Sequence, residues 1–220
     1  MPENFDQLVE DAQRFFRDLR RNNNRDWFHG QKAKYDAEIK RPAELLADVV
    51  AAHLNKVTDH PHRSKIFRQH RDLRFSKDKT PYNCHLHVAW FAADAGGDDP
   101  GYFLGISPEY VTTGAGVMAF DKARLTAFRT AASGTYGEQL LREINALQRN
   151  GCRMDEPSLK RVPKPFEPDH PHGSLLRRKG VVVWRDIDDD REAGLLPSVI
   201  REFDRFQPLN TLLYPDGMLP

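Results

Sequence analysis

The spacing of apolar residues changes period twice along this chain, and that constrains the fold more than any single motif. Phe5, Leu8, Ala12, Phe15, Phe16 and Leu19 recur at three- and four-residue steps, one face of a helix over 5–21. Asn4 is placed to cap it, with Gln7 reaching back, and Asn22-Asn23-Asn24 ends it. A second helix is expected from Arg25 or Asp26 to Lys40, burying Trp27, Phe28 and Tyr35, with Gly30 weakening it. A third begins near Pro42 and turns Leu45, Leu46, Val49, Val50 and Leu54 inward. The period then falls to two. Strands are expected at Ser64–Phe75 and His85–Ala92, and a hairpin at Gly101–Ile106 and Tyr110–Met118 closes around Ser107-Pro108-Glu109. Asp94 to Pro100 reads as a surface loop. Helical spacing returns at Lys122–Ala132 and Tyr136–Asn150. Residues 151–172 hold five prolines and read as irregular; Val181–Trp184 is a short buried strand, and Pro197–Phe206 is a last helix. Strands clustered between helical blocks predict an α+β fold with a largely antiparallel sheet flanked by N- and C-terminal helices. The expected organisation is one domain over 5–206 and a C-terminal tail over 207–220.

Composition narrows the class. Twenty-two aromatics in 220 residues argue against wholesale disorder despite a mean hydropathy of −0.68. No apolar run approaches the roughly 20 residues of a membrane span. Met1 to Asp6 lacks the basic and apolar regions of a signal peptide, and Cys84 and Cys152 are too few for a disulfide framework, so a reducing cytoplasm is expected. The net charge of +1 conceals a local imbalance. Residues 63–82 carry seven Lys/Arg against Asp72 and Asp78, whereas residues 185–204 carry seven Asp/Glu against three Arg. A basic centre points to an anionic partner; mutual neutralisation of the two segments is the plainer account.

The run from Ile66 to Tyr82 is the most informative. As a strand it places Phe67, Gln69, Arg71, Leu73 and Phe75 on one face and Ile66, Arg68, His70, Asp72 and Arg74 on the other. Asp72 would then orient the guanidinium groups of Arg68 and Arg74 as forks aimed at a carboxylate or phosphate. Ser76, Lys77, Lys79 and Tyr82 join them from the turn at the strand's end, and Arg25, Lys160 and Arg161 converge from elsewhere. Arginines would hold the anion, and Lys77 or Lys79 would supply point charge. The structural alternative is an ion-pair network that only fixes the sheet.

Several stretches resemble, in order, the conserved hypothetical protein family of bacteria and fungi catalogued as domain of unknown function 2461. The run Arg71-Asp72-Leu73-Arg74-Phe75-Ser76-Lys77-Asp78-Lys79-Thr80-Pro81-Tyr82 is similar to its signature. Asn22-Asn23-Asn24-Arg25-Asp26-Trp27-Phe28 resembles its N-terminal motif, and Gly101-Tyr102-Phe103 through Gly114-Ala115-Gly116 its central hairpin. Leu159 through Phe166, then His170-Pro171 and Leu175-Leu176, resembles its C-terminal run. The likeness spans roughly 5–206 and favours one domain. It departs at Asn83-Cys84-His85, where the family carries Lys-Thr-Asn, and at Pro165, where it carries glycine. It implies a family and no activity.

Other chemistries have less support. His85 and His87 share a strand face with zinc-ligand chemistry, but two histidines are too few, and Asp169-His170-Pro171-His172 is equally ambiguous, so no metal and no cofactor are expected. Gly114-Ala115-Gly116-Val117-Met118-Ala119 formally fits G-x-G-x-x-A, yet it follows a hairpin arm rather than opening a helix; its glycines are expected to permit close backbone approach or a bulge. Ser76 to Thr80 lacks the glycines of a phosphate loop, and there is no G-x-S-x-G or C-x-x-C. Cys84 lies near the basic cluster, where a lowered pKa is one reading and a buried, inert thiol the plainer one, and neither Asp72 nor Asp78 has a second carboxylate to work with as a general base. Basic residues interleaved with Phe67, Phe75 and Tyr82 suit single-strand stacking, but a pI near 7.8 disfavours nucleic acid. The expected function is a site for a small anionic ligand, with no membrane partner. The alternative is a non-enzymatic module that binds a protein or nucleic acid through the same basic surface.

Overall fold

The computed structural model describes residues 5–58, 60–74, 76–93, 99–188 and 190–214. Helices α1 (Asp6–Arg21), α2 (Arg25–Tyr35) and α3 (Arg41–Thr58) come first, with a π-helical turn, Asp36–Lys40, joining α2 to α3. Strands β1 (His62–Ile66), β2 (Leu86–Ala92), β3 (Gly101–Ile106) and β4 (Val111–Val117) follow. Then come α4 (Lys122–Ala132), α5 (Thr135–Arg149), the short α6 (Gly173–Leu176), β5 (Val181–Asp186) and α7 (Leu195–Leu213). The five strands form one antiparallel sheet in sequential order, β1-β2-β3-β4-β5, flanked by N- and C-terminal helices. The fold is α+β, as the change of period requires. No helix among the described residues is long and apolar enough to cross a membrane.

Backbone proximity sorts the chain into two compact units, and β2, β3, β4, β5 and α7 each pass from one to the other. The first unit contains α1 to α3 and β1. Its aromatic hub is Phe15, whose ring lies 5.5 Å from those of Trp27 and Tyr35 and 6.2 Å from that of Phe28. The α3 face differs from expectation: Ala43, Leu46, Ala47, Val50 and Leu54 are buried, while Leu45 and Val49 are 48% and 41% exposed. Buried Trp90 donates its indole N–H to the Ala47 carbonyl at 2.9 Å, which fixes the helix phase. Residues two positions from Ala47 are then carried roughly 200° round the axis. The acidic C-terminal segment also serves this unit internally, since Asp188 accepts the Val111 N–H with both carboxylate oxygens.

Among the described residues, the expected strand over Ser64–Phe75 is not formed beyond Ile66. Phe67 N–H still donates to the His87 carbonyl, and then the chain leaves the sheet. Gln69 to Arg71 pairs instead with Pro81 to Asn83, through Asn83 N–H to Gln69 O (2.7 Å) and Arg71 N–H to Pro81 O (2.9 Å). Asp72 and Asp78 explain the departure. Each carboxylate accepts a backbone N–H two residues on, from Arg74 and Thr80, and such local bonds compete with a ladder. The two-faced arrangement of Arg68, Asp72 and Arg74 is therefore absent, and Phe75 lies outside the described residues, as do Asn4 and most of the 94–100 loop.

The second unit contains α4, α5, α6, most of β5 and the end of α7. Helix α7 runs past the expected end at Phe206 to Leu213, through Pro208. Burial of Leu209 and Leu213, and the Tyr136 hydroxyl donating to the Leu212 carbonyl at 3.0 Å, offset the lost helical bond. Glu202, fully buried on this helix, is met by Arg185 at 3.5 Å and Arg205 at 2.6 Å. The Gly114–Gly116 pair is a close backbone approach, not a nucleotide loop. A Cβ on Gly114 would lie 2.3 Å from the Trp184 ring, and one on Gly116, at φ +127°, 2.0 Å from the Val181 carbonyl oxygen. Gly116→Ala is expected to lower unfolding free energy by about 2–4 kcal/mol, read as a shifted urea midpoint; an unchanged midpoint would contradict the approach.

Candidate functional site

The site is built from the turn between α1 and α2. Asn24 caps α2, its side chain accepting the Trp27 N–H at 2.9 Å. Asn23 faces the other way and treats Tyr82 as a strand would. Its amide nitrogen donates to the Tyr82 carbonyl (2.9 Å) and its amide oxygen accepts the Tyr82 N–H (3.1 Å). Phe28, one turn into α2, stacks on the Tyr82 ring at 4.2 Å, and His70 meets that ring edge-on at 4.8 Å. The N-terminal asparagine motif and the central signature are thus two halves of one contact.

Most of the cations in the central loop are engaged within it. The Arg71 guanidinium, half-buried, bonds Asp78 (2.5 Å), the Thr80 carbonyl and hydroxyl, and the Ser76 hydroxyl. Thr80 and Arg71 hold the Asp78 carboxyl down at about 2, the Thr80 backbone N–H contributing most. Arg74 grips Asp72 in a fork, Nε to Oδ1 at 3.0 Å and Nη2 to Oδ2 at 2.6 Å, which keeps that carboxyl below its ordinary range. This pair is the one expected from the sequence, but it stands in solvent, with the Arg74 side chain 78% exposed. Lys79 donates to the Leu73 carbonyl at 3.1 Å, Ser76 donates to the Asp78 carbonyl, and Lys77 is exposed. Tyr82 is 5% exposed and acts as an anchor. Arg25 is exposed at the start of α2; Lys160 and Arg161 are exposed in the second unit.

Arg68 differs from these in its place. Exposed, and like Lys77 without a hydrogen-bond or ion-pair partner among the described residues, it lines a groove of about 790 Å³ within the first unit. The groove runs from Phe28, Lys32, Tyr35 and Asp36 across Lys40, Glu44 and Asp48 to Ser64 and Ile66–His70. The π-helical turn forms part of its wall, a distortion common at functional sites. Gln69, 5% exposed, donates its amide N–H to the Tyr35 hydroxyl at 3.1 Å, and burial pushes that phenol's pKa up. The Gln69 Oε1 is buried with no partner among the described residues, and so is the Asp36 Oδ1, whose companion oxygen takes the Lys32 ammonium at 2.6 Å. A buried polar atom left unpaired costs about 1–3 kcal/mol. Sequence reasoning missed Tyr35, Asp36, Lys40, Glu44 and Gln69. The legible signal was the charge series Lys32, Asp36, Lys40, Glu44, Asp48 at four-residue steps, which the wider π turn keeps along one wall.

Among the described residues no three His, Cys, Asp or Glu side chains gather as a metal set. The His85 and His87 rings stack at 3.8 Å beside Tyr110, whose hydroxyl lies 3.4 Å from His87 Nε2. Burial, then His85, pushes His87 down to about 4. His172 is buried with Nδ1 2.8 Å from the Ala132 carbonyl, a structural contact. Cys84 is half-buried beside Asn23 (Nδ2 to Sγ 3.4 Å), and burial raises its pKa.

Residues 11–211 match the family described as conserved hypothetical protein, DUF2461. The chain belongs to that family. Comparisons with curated proteins and with solved structures return no match. Within the family signature as it stands here, Arg71 and Tyr82 close the loop on itself and on α2, while Arg74 faces water.

Because the fold disfavours the charged His87, stability is full above the ordinary histidine range and is lost as pH falls from about 6.5 towards 4. Urea midpoints measured across that interval are expected to fall with acid, and His87→Gln to flatten the slope. An equal slope in the variant would contradict the assignment.

Proposed function

We propose that this protein binds a small ligand carrying a carboxylate or phosphate in the groove between the α2–α3 wall and residues 64–70, with Arg68 holding the anion. The observation that carries this reading is the contrast among the cations of the central segment. Arg71, Arg74 and Lys79 already have partners in their own loop; Arg68 and Lys77 have none among the described residues, and of these two Arg68 lines a groove with a buried glutamine in its wall. A free guanidinium beside a concave, partly apolar surface is a ready fork for an oxyanion. Phe28 and Phe67 supply the apolar part of the wall. The loop of residues 71–82 then serves as a support that sets the position of Gln69 and His70. The unpaired thiols of Cys84 and Cys152 support a reducing, cytoplasmic setting.

A thermal-shift screen of inorganic phosphate, sugar phosphates, nucleoside monophosphates and dicarboxylates tests the proposal. A binder at a hundred times its Kd is expected to raise Tm by about 5–10 °C. Arg68→Ala is expected to abolish the shift with its own Tm little changed, and Arg74→Ala to leave it intact. A response lost in Arg74→Ala and kept in Arg68→Ala would move the site to the exposed loop and overturn this reading.

A further inference from the structure

The groove offers more than one kind of partner. Six charged side chains line it: Lys32, Lys40 and Arg68 against Asp36, Glu44 and Asp48. Lys32 pairs with Asp36 at 2.6 Å and Lys40 with Glu44 at 3.7 Å, so the wall balances its own charge. A purely anionic ligand answers Arg68 and nothing else. Among the described residues that line the groove, two buried atoms lack a partner and both are acceptors: Oε1 of Gln69, whose nitrogen is committed to Tyr35, and Oδ1 of Asp36, whose Oδ2 is committed to Lys32. An acceptor is satisfied only by N–H or O–H, and a carboxylate acceptor favours a cationic donor. An oxyanion placed against them would meet oxygen lone pairs and a formal negative charge.

We infer that the ligand is a zwitterion, its anionic group on Arg68 and an ammonium group on Gln69 Oε1 and Asp36 Oδ1. This rests on the groove being the ligand site proposed above. The chemical class is that of free amino acids and amino-sugar phosphates, small enough for about 790 Å³. The ammonium has three donors, which two acceptors and one water would fill. Selectivity follows from the same arrangement: masking the amine removes the donors and leaves both oxygens unpaired, so the N-acylated analogue is rejected.

Titration calorimetry tests this with matched probes. One set is glucosamine 6-phosphate, N-acetylglucosamine 6-phosphate and glucosamine; the other is the proteinogenic amino acids, their N-acetyl derivatives and their carboxamides. The expected result is a zwitterion in one set binding at least tenfold tighter than both of its masked forms. Asp36→Asn and Gln69→Met, each checked for an unchanged circular dichroism spectrum, are expected to erase the preference over the N-acetyl form while leaving N-acetyl binding unchanged. Arg68→Ala is expected to weaken the acid-bearing probes only. Equal affinity for the zwitterion and its N-acetyl form, with Arg68→Ala abolishing both, overturns the inference and leaves the anion groove standing. Binding of the acid-bearing probes that ignores Arg68→Ala overturns the groove reading itself.

Discussion

Asn23 and Tyr82 exchange two hydrogen bonds through a side-chain amide, and the geometry of the first unit's groove depends on that exchange. The segment after β1 has little apolar content with which to bury itself. Its order comes from being tied down. Asn23 ties Tyr82 to the α1–α2 turn, Phe28 stacks on the same ring, and the pairing of Gln69–Arg71 with Pro81–Asn83 carries the constraint back to Gln69. Each bond is worth only about 1 kcal/mol, but they act on one short stretch of chain. Gln69 is thereby held against Tyr35, at the end of α2, and Arg68 in the groove that the π turn also lines.

A basic stretch is not by itself an anion site; what matters is which cations remain uncommitted. Arg71 is occupied four ways inside its loop and Arg74 is clamped by Asp72 in open solvent, where such a pair contributes little. The acidic C-terminal segment is handled in the same manner, with Glu202 between two arginines and Asp188 on a backbone amide. The apparent charge imbalance between the two segments is thus absorbed largely by neighbours. Arg68 is an exception, and it lines a groove whose wall includes the π turn.

The order and type of most elements were legible because hydrophobic spacing records which face is buried. The α4–α5 pair and the hairpin of β3 and β4 followed directly from it, while the two glycines on a hairpin arm left close approach or a bulge at Gly114 and Gly116, of which the structure has the close approach. Three features were not legible. The buried stripe of α3 uses Ala43 and Ala47 in place of Leu45 and Val49, a choice made by Trp90 across the unit. The strand expected to Phe75 stops at Ile66, because Asp72 and Asp78 bond their own backbone and local bonds outweigh alternation. The π turn leaves no compositional mark, so the wall that it shapes, with Asp36 and Lys40, could be read only from the four-residue charge spacing. Of the residues expected at the site, Arg68 alone lines the groove; Asp72 and Arg74 pair as foreseen but outside it.

The dependence of the groove on the Asn23–Tyr82 exchange is most directly measured by amide hydrogen exchange in Asn23→Ala. The amides of Arg71 and Asn83, which donate to Pro81 and Gln69, are predicted to exchange at least tenfold faster than in the parent protein. The amides of Leu46 and Val50 in α3 are predicted to keep their protection. Unchanged protection at Arg71 and Asn83 would show that the segment holds its place without Asn23, and would contradict the account.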